Sequence, residues 1–256
     1  MPSNRRRDDL SSKGNVMKKN QARALLNSAG FDVVRLRNSN FTLSTHLMNV
    51  FADNEIDCVI DVGANAGQYG AFLRGAGFAG HIVSFEPVAS VFELLQARAK
   101  TDGKWICFQS ALGEETEQRT MNVYDSTMFS SFLDANAYSK EIWNSLQGVR
   151  PEVVAVARLD DLMPEILART KARNVFLKMD TQGFDRHVFR GALGSLLHIR
   201  ALQSELSLIA VYEDMPPAYE TLNDFHRENY FISGMYPINR DKSLAVIEYD
   251  CVLVRR

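Results

Sequence analysis

The chain has 256 residues, of which 46% are hydrophobic and 23% are charged, and its formal net charge at pH 7 is −2. This length and composition suit one large globular domain, or one domain with a small extension, and exclude a chain too polar to bury a core. The near-neutral balance and a pI near 6.2 argue against binding to nucleic acid through broad electrostatic attraction.

The predicted organisation is an N-terminal segment, residues 1–54, followed by a main domain, residues 55–256. We expect the polar residues 1–20 to be mobile. Arg5-Arg6-Arg7 is followed by no apolar stretch, so a solvated arm is favoured over a secretory signal or a contact with RNA or anionic lipid. Apolar positions between Leu25 and Phe51 predict helices that cap the main domain. No apolar run approaches the length that spans a bilayer.

From residue 56 onward, predicted strands alternate with predicted helices. The predicted strands cover residues 58–62, 82–85, 105–109, 174–180, 200–206, 230–235 and 246–254, and the predicted helices cover residues 68–75, 90–100, 185–197 and 217–229. Such alternation is typical of a Rossmann-like, doubly wound α/β fold with a mostly parallel sheet covered on both faces. Only the polar residues 239–243 connect the last two strands, so we expect a hairpin and an antiparallel C-terminal strand at the sheet edge.

The alternation pauses in an insertion at about residues 114–158. We expect strands at residues 118–124 and 152–157, and between them lies a segment rich in Ser, Asn and aromatic residues. Long irregular insertions in compact domains tend to be functional, so the insertion is a candidate substrate lid. Its residues Tyr124, Tyr138 and Trp143 either stack on a sugar ring or pack inside the domain.

The cysteines are predicted to be buried free thiols. Cys58, Cys107 and Cys251 lie in apolar runs that read as strands, and the chain has no CxxC motif or Cys/His cluster. This pattern fits a reducing cytoplasm and gives no support to a structural zinc site. We therefore expect a cytoplasmic protein, and no residue is assigned to a resident metal.

The segment 59–69 is the most informative part of the sequence. It reads as a buried strand that enters a turn with Gly63 and Gly67 and then a helix, which is a pattern for a nucleoside cofactor. A dehydrogenase GxGxxG motif would need glycines at 63, 65 and 68, but Asn65 and Gln68 occupy two of these positions. Asp61 precedes the turn instead, and such an acid suits a cofactor with a positively charged sulfonium and an amino-acid tail.

Two further strand ends complete the predicted cofactor site. Glu86 follows the second strand, where a carboxylate accepts hydrogen bonds from ribose hydroxyls. Ser110 and Ala111 follow the third strand, at the position that faces the adenine in such sheets. The predicted cofactor-binding residues are Asp61, Gly63, Asn65, Gly67, Gln68, Tyr69, Glu86, Pro87, Ser110 and Ala111.

Together these residues resemble a class I S-adenosylmethionine-dependent methyltransferase, and later segments narrow the resemblance to the FkbM family. It covers residues 56–256 and rests on five stretches: residues 60–67, 85–87, 111–113, 177–185 with 191–192, and 248–255. The resemblance implies S-adenosylmethionine as cofactor. It also implies a hydroxyl acceptor on a sugar, glycan or other small metabolite, and no nucleic-acid partner.

The catalytic candidates lie at the ends of the later strands. Methyl transfer to a hydroxyl needs the acceptor proton removed, so Asp180 is predicted as the base or as a ligand of a metal that acidifies the hydroxyl. Glu205 and Lys178 are further catalytic candidates, and His187 is a weaker one. The FkbM family often has Glu where this chain has Gln182, so any role for an acid at that position is lost.

Three other functions stay open at this point. A nicotinamide-dependent oxidoreductase shares the strand-end acid but lacks the glycine spacing. An RNA methyltransferase would use the basic N-terminus, and a non-catalytic nucleoside-binding module would keep the cofactor site without the base. Amine and base methylases carry an Asn/Asp-Pro-Pro-aromatic motif where this chain has residues 180–183, so nitrogen methylation is disfavoured.

Overall fold

The computed structural model describes residues 24–26, 28–30, 42–143, 146 and 148–256. The expected mobile arm, with its three arginines, lies outside the described residues. The chain divides into two units, Met1–Phe41 and Thr42–Arg256. In the first unit, residues 24–26 and 28 are helical and exposed. All elements named below belong to the second unit.

The second unit contains helices and strands in alternation. The helices are α1 Leu43–Asp53, α2 Gln68–Gly75, α3 Ala89–Ala99, α4 Ala137–Ile142, α5 Leu159–Thr170, α6 Asp185–Arg190 and α7 Ala218–Arg227. The strands are β1 Cys58–Val62, β2 His81–Phe85, β3 Trp105–Phe108, β4 Ala111–Leu112, β5 Glu117–Val123, β6 Arg150–Ala157, β7 Val175–Met179, β8 Ile199–Ser207, β9 Tyr230–Arg240 and β10 Val246–Arg255. Two short 3₁₀ turns lie at Thr127–Phe129 and Leu193–Ser195.

The main sheet has seven strands in the order β3-β2-β1-β7-β8-β10-β9. The first five run parallel, and β10 runs antiparallel to both β8 and β9. This confirms the predicted doubly wound, mostly parallel sheet with an antiparallel edge. The closing hairpin folds so that β10 lies between β8 and β9, which makes β9 the outermost strand.

The insertion builds a second, smaller sheet. Its order is β4-β6-β5, with β5 antiparallel to β6 and β4 parallel to it. Both strands expected in the insertion are therefore present, and they pair with each other. The short helix α4 and the 3₁₀ turn at Thr127–Phe129 occupy the segment between them.

Several elements differ from the sequence prediction: β9 extends to Arg240, and α4, α5 and β4 were not expected. The helix expected over residues 185–197 ends at Arg190 and is followed by a 3₁₀ turn. The sequence analysis assigned no element to α5, which buries Leu159, Met163, Ile166 and Thr170 along one face. Pro164 lies inside α5, and proline is a residue that ordinarily interrupts helices. Burial of one apolar face offsets the cost of placing a proline inside this helix.

The core lies on both faces of the sheet. β1 and β7 are buried along their whole length, as expected for central parallel strands. On one face, Leu47, Val50 and Phe51 of α1 pack with Val59 and Phe176. The rings of Phe51 and Phe176 meet edge to face, with their centroids 4.8 Å apart. Helix α1 is therefore part of the core.

The cysteines lie in strands, as predicted, and they are free thiols. Cys58 in β1 and Cys251 in β10 are buried, whereas Cys107 in β3 is half-buried. Burial raises the pKa of Cys107 to about 11, so its thiol is protonated at neutral pH. Within the described part of the chain, no helix is long and apolar enough to cross a membrane.

We expect Phe51→Ala to lower the free energy of unfolding by about 3–5 kcal/mol, because it leaves a cavity between α1 and the sheet. The measurement is chemical denaturation followed by circular dichroism. Leu94→Ala is the control, since Leu94 is 60% exposed on α3, and its effect should stay within about 0.5 kcal/mol. Equal effects of the two substitutions would show that α1 does not contribute to the core.

Candidate functional site

A cavity of about 510 Å³ opens where the parallel strands of the main sheet end. Its walls come from the turns after β1, β2 and β7, from β8 and β10, from α1 and α2, and from the segment 127–132. These turns converge because parallel strands place all their carboxyl ends at one edge of the sheet. The volume is typical of sites for small molecules.

The turn between β1 and α2 requires glycine at two positions. Gly63 has a φ of +76°, and a Cβ atom there would lie only 2.0 Å from the backbone oxygen of Asp180. Gly67 has a φ of +82° and immediately precedes α2. Because no side chain fits at Gly63, the end of β1 can lie close to the backbone of Asp180.

Glu86 holds this turn to the end of β2. Its Oε2 accepts a hydrogen bond from the backbone N–H of Asn65 at 3.0 Å, and its Oε1 accepts one from Val88 at 2.9 Å. The residue is 6% exposed. Burial raises the pKa of Glu86 to about 7, although the two backbone amides act in the opposite direction. A fixed carboxyl group that titrates near neutral pH thus lines the cavity.

Lys178 lies between two carboxylates on neighbouring strands. It is the register partner of Asp61 across β7 and β1. Its Nζ lies 3.1 Å from Asp61 Oδ1 and 3.2 Å from Asp180 Oδ2. Burial alone would lower the pKa of Lys178, but the charges of Asp180 and Asp61 raise it above its usual value. Lys178 is therefore a fixed positive charge at this edge of the sheet.

Asp180 and Glu205 form a half-buried pair of acids beside Lys178. Burial would raise the pKa of Asp180, but the Lys178 ammonium lowers it below its usual value. Burial and the charge of Asp180 instead raise the pKa of Glu205 well above its usual value. The two environments favour an ionised Asp180 next to a protonated Glu205, which is how coupled carboxyl groups share one proton.

A second polar chain crosses the floor of the cavity. The Tyr69 hydroxyl donates to Gln203 Oε1 at 2.9 Å, and Gln203 Nε2 donates to Asp250 Oδ1 at 2.7 Å. Burial raises the pKa of Asp250 to about 6. The sequence analysis did not select Gln203 or Asp250. No signal in the sequence separates Gln203 and Asp250 from the other polar residues of their strands, such as Glu205 and Glu248.

Most of the predicted site residues come together around the cavity. Ten of the predicted cofactor and catalytic residues line it: Gly63, Asn65, Gln68, Tyr69, Glu86, Pro87, Ala111, Lys178, Asp180 and Glu205. Asp61, Gly67 and Ser110 lie outside the lining formed by the described residues. Asp61 is 0% exposed and faces Lys178, while the Ser110 hydroxyl lies 2.7 Å from the carbonyl oxygen of Ala111.

Part of the insertion covers the cavity. Thr127, Met128, Ser130 and Phe132 contribute to the lining, and Thr127 Oγ1 accepts a hydrogen bond from Asn65 Nδ2 at 3.1 Å. We call residues 127–132 the cap segment. It is thus connected directly to the glycine turn.

The aromatic residues of the insertion mainly pack inside the domain. Tyr124 is 4% exposed and belongs to an apolar cluster that Trp143 contacts. Trp143 also packs on Phe129, with ring centroids 5.5 Å apart. For Tyr124 and Trp143, the structure therefore supports packing over stacking on a ligand.

His187 belongs to a separate polar contact. Its Nδ1 lies 2.8 Å from Glu114 Oε1, and its ring stacks on Phe184 with centroids 4.2 Å apart. Among the residues that the structure describes, no group of three or more His, Cys, Asp or Glu side chains is arranged to hold a metal ion.

Comparisons with known proteins give one family match. Residues 61–233 match the model of the methyltransferase FkbM domain. No curated protein matches the sequence significantly.

Several solved structures are distantly similar. An uncharacterized protein from Listeria monocytogenes serotype 4b has 12% identity and a TM-score of 0.45, over 84% of this chain and 69% of that one. An rRNA methylase from Streptococcus thermophilus has 9% identity and a TM-score of 0.42, over 85% of this chain and 99% of the methylase. Aeropyrum pernix fibrillarin with natively bound S-adenosyl-L-methionine has 8% identity and a TM-score of 0.40, over 81% of this chain and 74% of the fibrillarin. These likenesses are too distant to indicate what this chain binds.

We expect Lys178→Met to lower the free energy of unfolding by about 3–5 kcal/mol at pH 7.5, because the fully buried carboxylate of Asp61 loses its ammonium partner. Urea denaturation measures this change. The loss should be smaller at pH 5, since protonated carboxyl groups need no counter-charge. Lys140→Met on the exposed face of α4 is the control. A loss no larger than that of the control would contradict this role of Lys178.

Proposed function

Because the chain belongs to the FkbM family of S-adenosylmethionine-dependent methyltransferases, we propose that it methylates a hydroxyl group of a sugar or another small metabolite. The observation that carries this proposal is the pair of acids Asp180 and Glu205 in the cavity wall, with the ammonium of Lys178 3.2 Å from Asp180. A hydroxyl is a poor nucleophile until its proton is removed, and a carboxylate in the cavity wall can accept that proton.

The residues around the cavity fit the cofactor. We assign the amino-acid part of the cofactor to the turn at Gly63 and Asn65, its ribose to Glu86 and its adenine to the side of Ala111, since all four residues line the cavity. When bound, S-adenosylmethionine supplies an electrophilic methyl group. We assign Asp61 to an indirect role, since its carboxylate faces Lys178 and not the cavity.

Asp180 is our proposed general base, and Lys178 is proposed to position it. Lys178 stays protonated because of its two carboxylate neighbours, so it cannot remove a proton from the acceptor. Its charge instead keeps Asp180 ionised at the cavity wall. The protonated Glu205 next to Asp180 then leaves a single negative charge in the pair.

The charge of the walls favours an acceptor without phosphate groups. Among the described residues that line the cavity, four carry carboxyl groups and one carries an ammonium group. Such walls repel anions, which supports a small uncharged hydroxyl compound over RNA. Leu43, Phe72 and Ile238 add an apolar wall for the carbon skeleton of that compound.

We propose that the insertion at about residues 114–158 is the substrate lid. The support is the position of the cap segment, whose residues line the cavity and contact the cofactor turn through Thr127 and Asn65. Met128 is 63% exposed, so a large apolar side chain stands at the mouth of the cavity.

Glu86→Gln should weaken binding of S-adenosylhomocysteine at least tenfold at pH 8, because an amide presents one acceptor oxygen in place of two and adds a donor. Isothermal titration calorimetry measures the dissociation constant, and Glu93→Gln on the exposed side of α3 is the matched control. Unchanged affinity in Glu86→Gln would remove Glu86 from the cofactor site. No binding by the unaltered protein would contradict the proposed function.

Affinity for S-adenosylhomocysteine should also depend on pH. Glu86, with a pKa of about 7, is mostly protonated at pH 6 and mostly ionised at pH 8, and the ionised form is the better acceptor. Affinity should therefore rise on the order of tenfold from pH 6 to pH 8. This rise should disappear in Glu86→Gln, and its persistence there would assign it to another group.

Asp180→Asn should retain binding of S-adenosylhomocysteine but reduce methyl transfer on the order of 10²–10⁴-fold, since it removes the base. The assay follows transfer of a ¹³C-labelled methyl group from S-adenosylmethionine to a panel of sugars and small hydroxyl compounds. The ¹³C shift of the product distinguishes O-methyl from N-methyl groups. Asp53→Asn on the exposed side of α1 is the control. An N-methylated product, or full activity in Asp180→Asn, would contradict the proposal.

A further inference from the structure

A buried hydroxyl group lies next to the acid pair. Tyr212 is 2% exposed, and its Oη lies 2.7 Å from Gln182 Oε1 and 3.0 Å from the carbonyl oxygen of Phe129. Both neighbours are acceptors, and a hydroxyl has one proton to donate. Burial raises the pKa of Tyr212 above its usual value, so the group stays protonated and acts as a donor.

Gln182 connects this hydroxyl to the two acids. Its Nε2 donates to Glu205 Oε2 at 2.7 Å and lies 3.3 Å from Asp180 Oδ1. Its Oε1 faces the Tyr212 hydroxyl. The two ends of the amide are fixed by the network, because a hydroxyl donor must face the oxygen and acceptor carboxyl groups must face the nitrogen.

The backbone of Gln182 is also held in place. The residue has a φ of +51°, a backbone conformation that residues other than glycine rarely adopt. Its carbonyl oxygen accepts a hydrogen bond from Ser131 Oγ at 2.7 Å. Ser131 belongs to the cap segment and is 0% exposed. With its backbone fixed, Gln182 can move only about its side-chain torsions, and one of these rotates the terminal amide.

We propose that Tyr212 is a positioning residue that orients the Gln182 amide, so that Gln182 donates to the Asp180–Glu205 pair and helps to keep Asp180 ionised. Without the hydroxyl, Oε1 loses its donor on that side, and the protonated Glu205 can donate to Oε1 once the amide rotates. Such a rotation removes the Nε2 hydrogen bond from the pair and turns an acceptor oxygen toward Asp180. The inference rests on the proposed role of Asp180 as the base.

Tyr212 also contacts the cap segment through the carbonyl oxygen of Phe129. The same proton serves either that carbonyl or the amide of Gln182. The arrangement of the cap segment therefore influences how firmly the amide is held, which connects the cover of the cavity to the proposed base.

Other ionisable groups surround the pair and also set its titration. They are Lys178 on β7, Asp61 on β1, Asp185 on α6, and Glu248 and Asp250 on β10. Removal of the Tyr212 hydroxyl changes none of these groups. A change in the titration of the pair therefore reports on the amide.

The test is a pH titration of the side-chain carboxyl carbons by ¹³C NMR, with signals assigned from Asp180→Asn and Glu205→Gln. In Tyr212→Phe, we expect the lower apparent pKa of the pair to rise by about one unit, as expected when a hydrogen bond to a carboxylate is lost. Tyr124→Phe is the matched control, since Tyr124 is a buried tyrosine of the same cluster and its hydroxyl contacts the backbone N–H of Ala135. A shift in Tyr212→Phe no larger than in this control would overturn the proposal.

Gln182→Met provides an independent test. It should raise the same apparent pKa by about one unit, and adding Tyr212→Phe to it should cause no further change, since the hydroxyl then has no amide to orient. An unchanged titration in Gln182→Met overturns the proposal even if Tyr212→Phe does not fold. Additive shifts in the double variant overturn it as well.

This titration uses neither cofactor nor acceptor. Failure of the unaltered protein to bind S-adenosylhomocysteine would contradict the proposed function but leave the titration result standing. Retained binding in Tyr212→Phe together with the predicted shift would support a positioning role specific to the acid pair.

Discussion

The ammonium group of Lys178, buried between Asp61 and Asp180, is the interaction on which the site depends. Lys178 and Asp61 would be costly to bury one by one, since each loses its hydration. Their pairing offsets that cost, because the ammonium lies within 3.2 Å of both carboxylates. The sheet register places Lys178 opposite Asp61, so the fold itself assembles the cluster.

Backbone geometry determines where the cavity opens. Gly63 lets the end of β1 approach the backbone of Asp180, and no larger residue fits there. Glu86 accepts hydrogen bonds from backbone amides on both sides, which fixes the turn relative to β2. The cap segment then joins the same turn through Thr127. The result is a set of strand-end turns held at fixed distances around one opening.

Gln182 is where this chain departs from a residue common in its family. A Glu at this position would place a third carboxyl group against Asp180 and Glu205, which would favour further protonation. The amide instead donates to Glu205 and lies close to Asp180, so it favours negative charge in the pair. In our proposal, the Gln182 amide needs a donor that holds its Oε1 away from the acids, and the Tyr212 hydroxyl donates to that oxygen.

Local spacing along the chain is enough to predict most of the strand and helix order, the glycine turn and the position of Glu86. It does not indicate α5, since Pro164 suggests a break and only burial of the opposite face stabilises the helix. The contact of Asp61 with Lys178, the approach of Gln203 and Asp250 to the cavity and the contact of Tyr212 with Gln182 depend on the tertiary structure. Those contacts join segments far apart in the chain, and their partners are selected by sheet register and packing, which no local pattern contains.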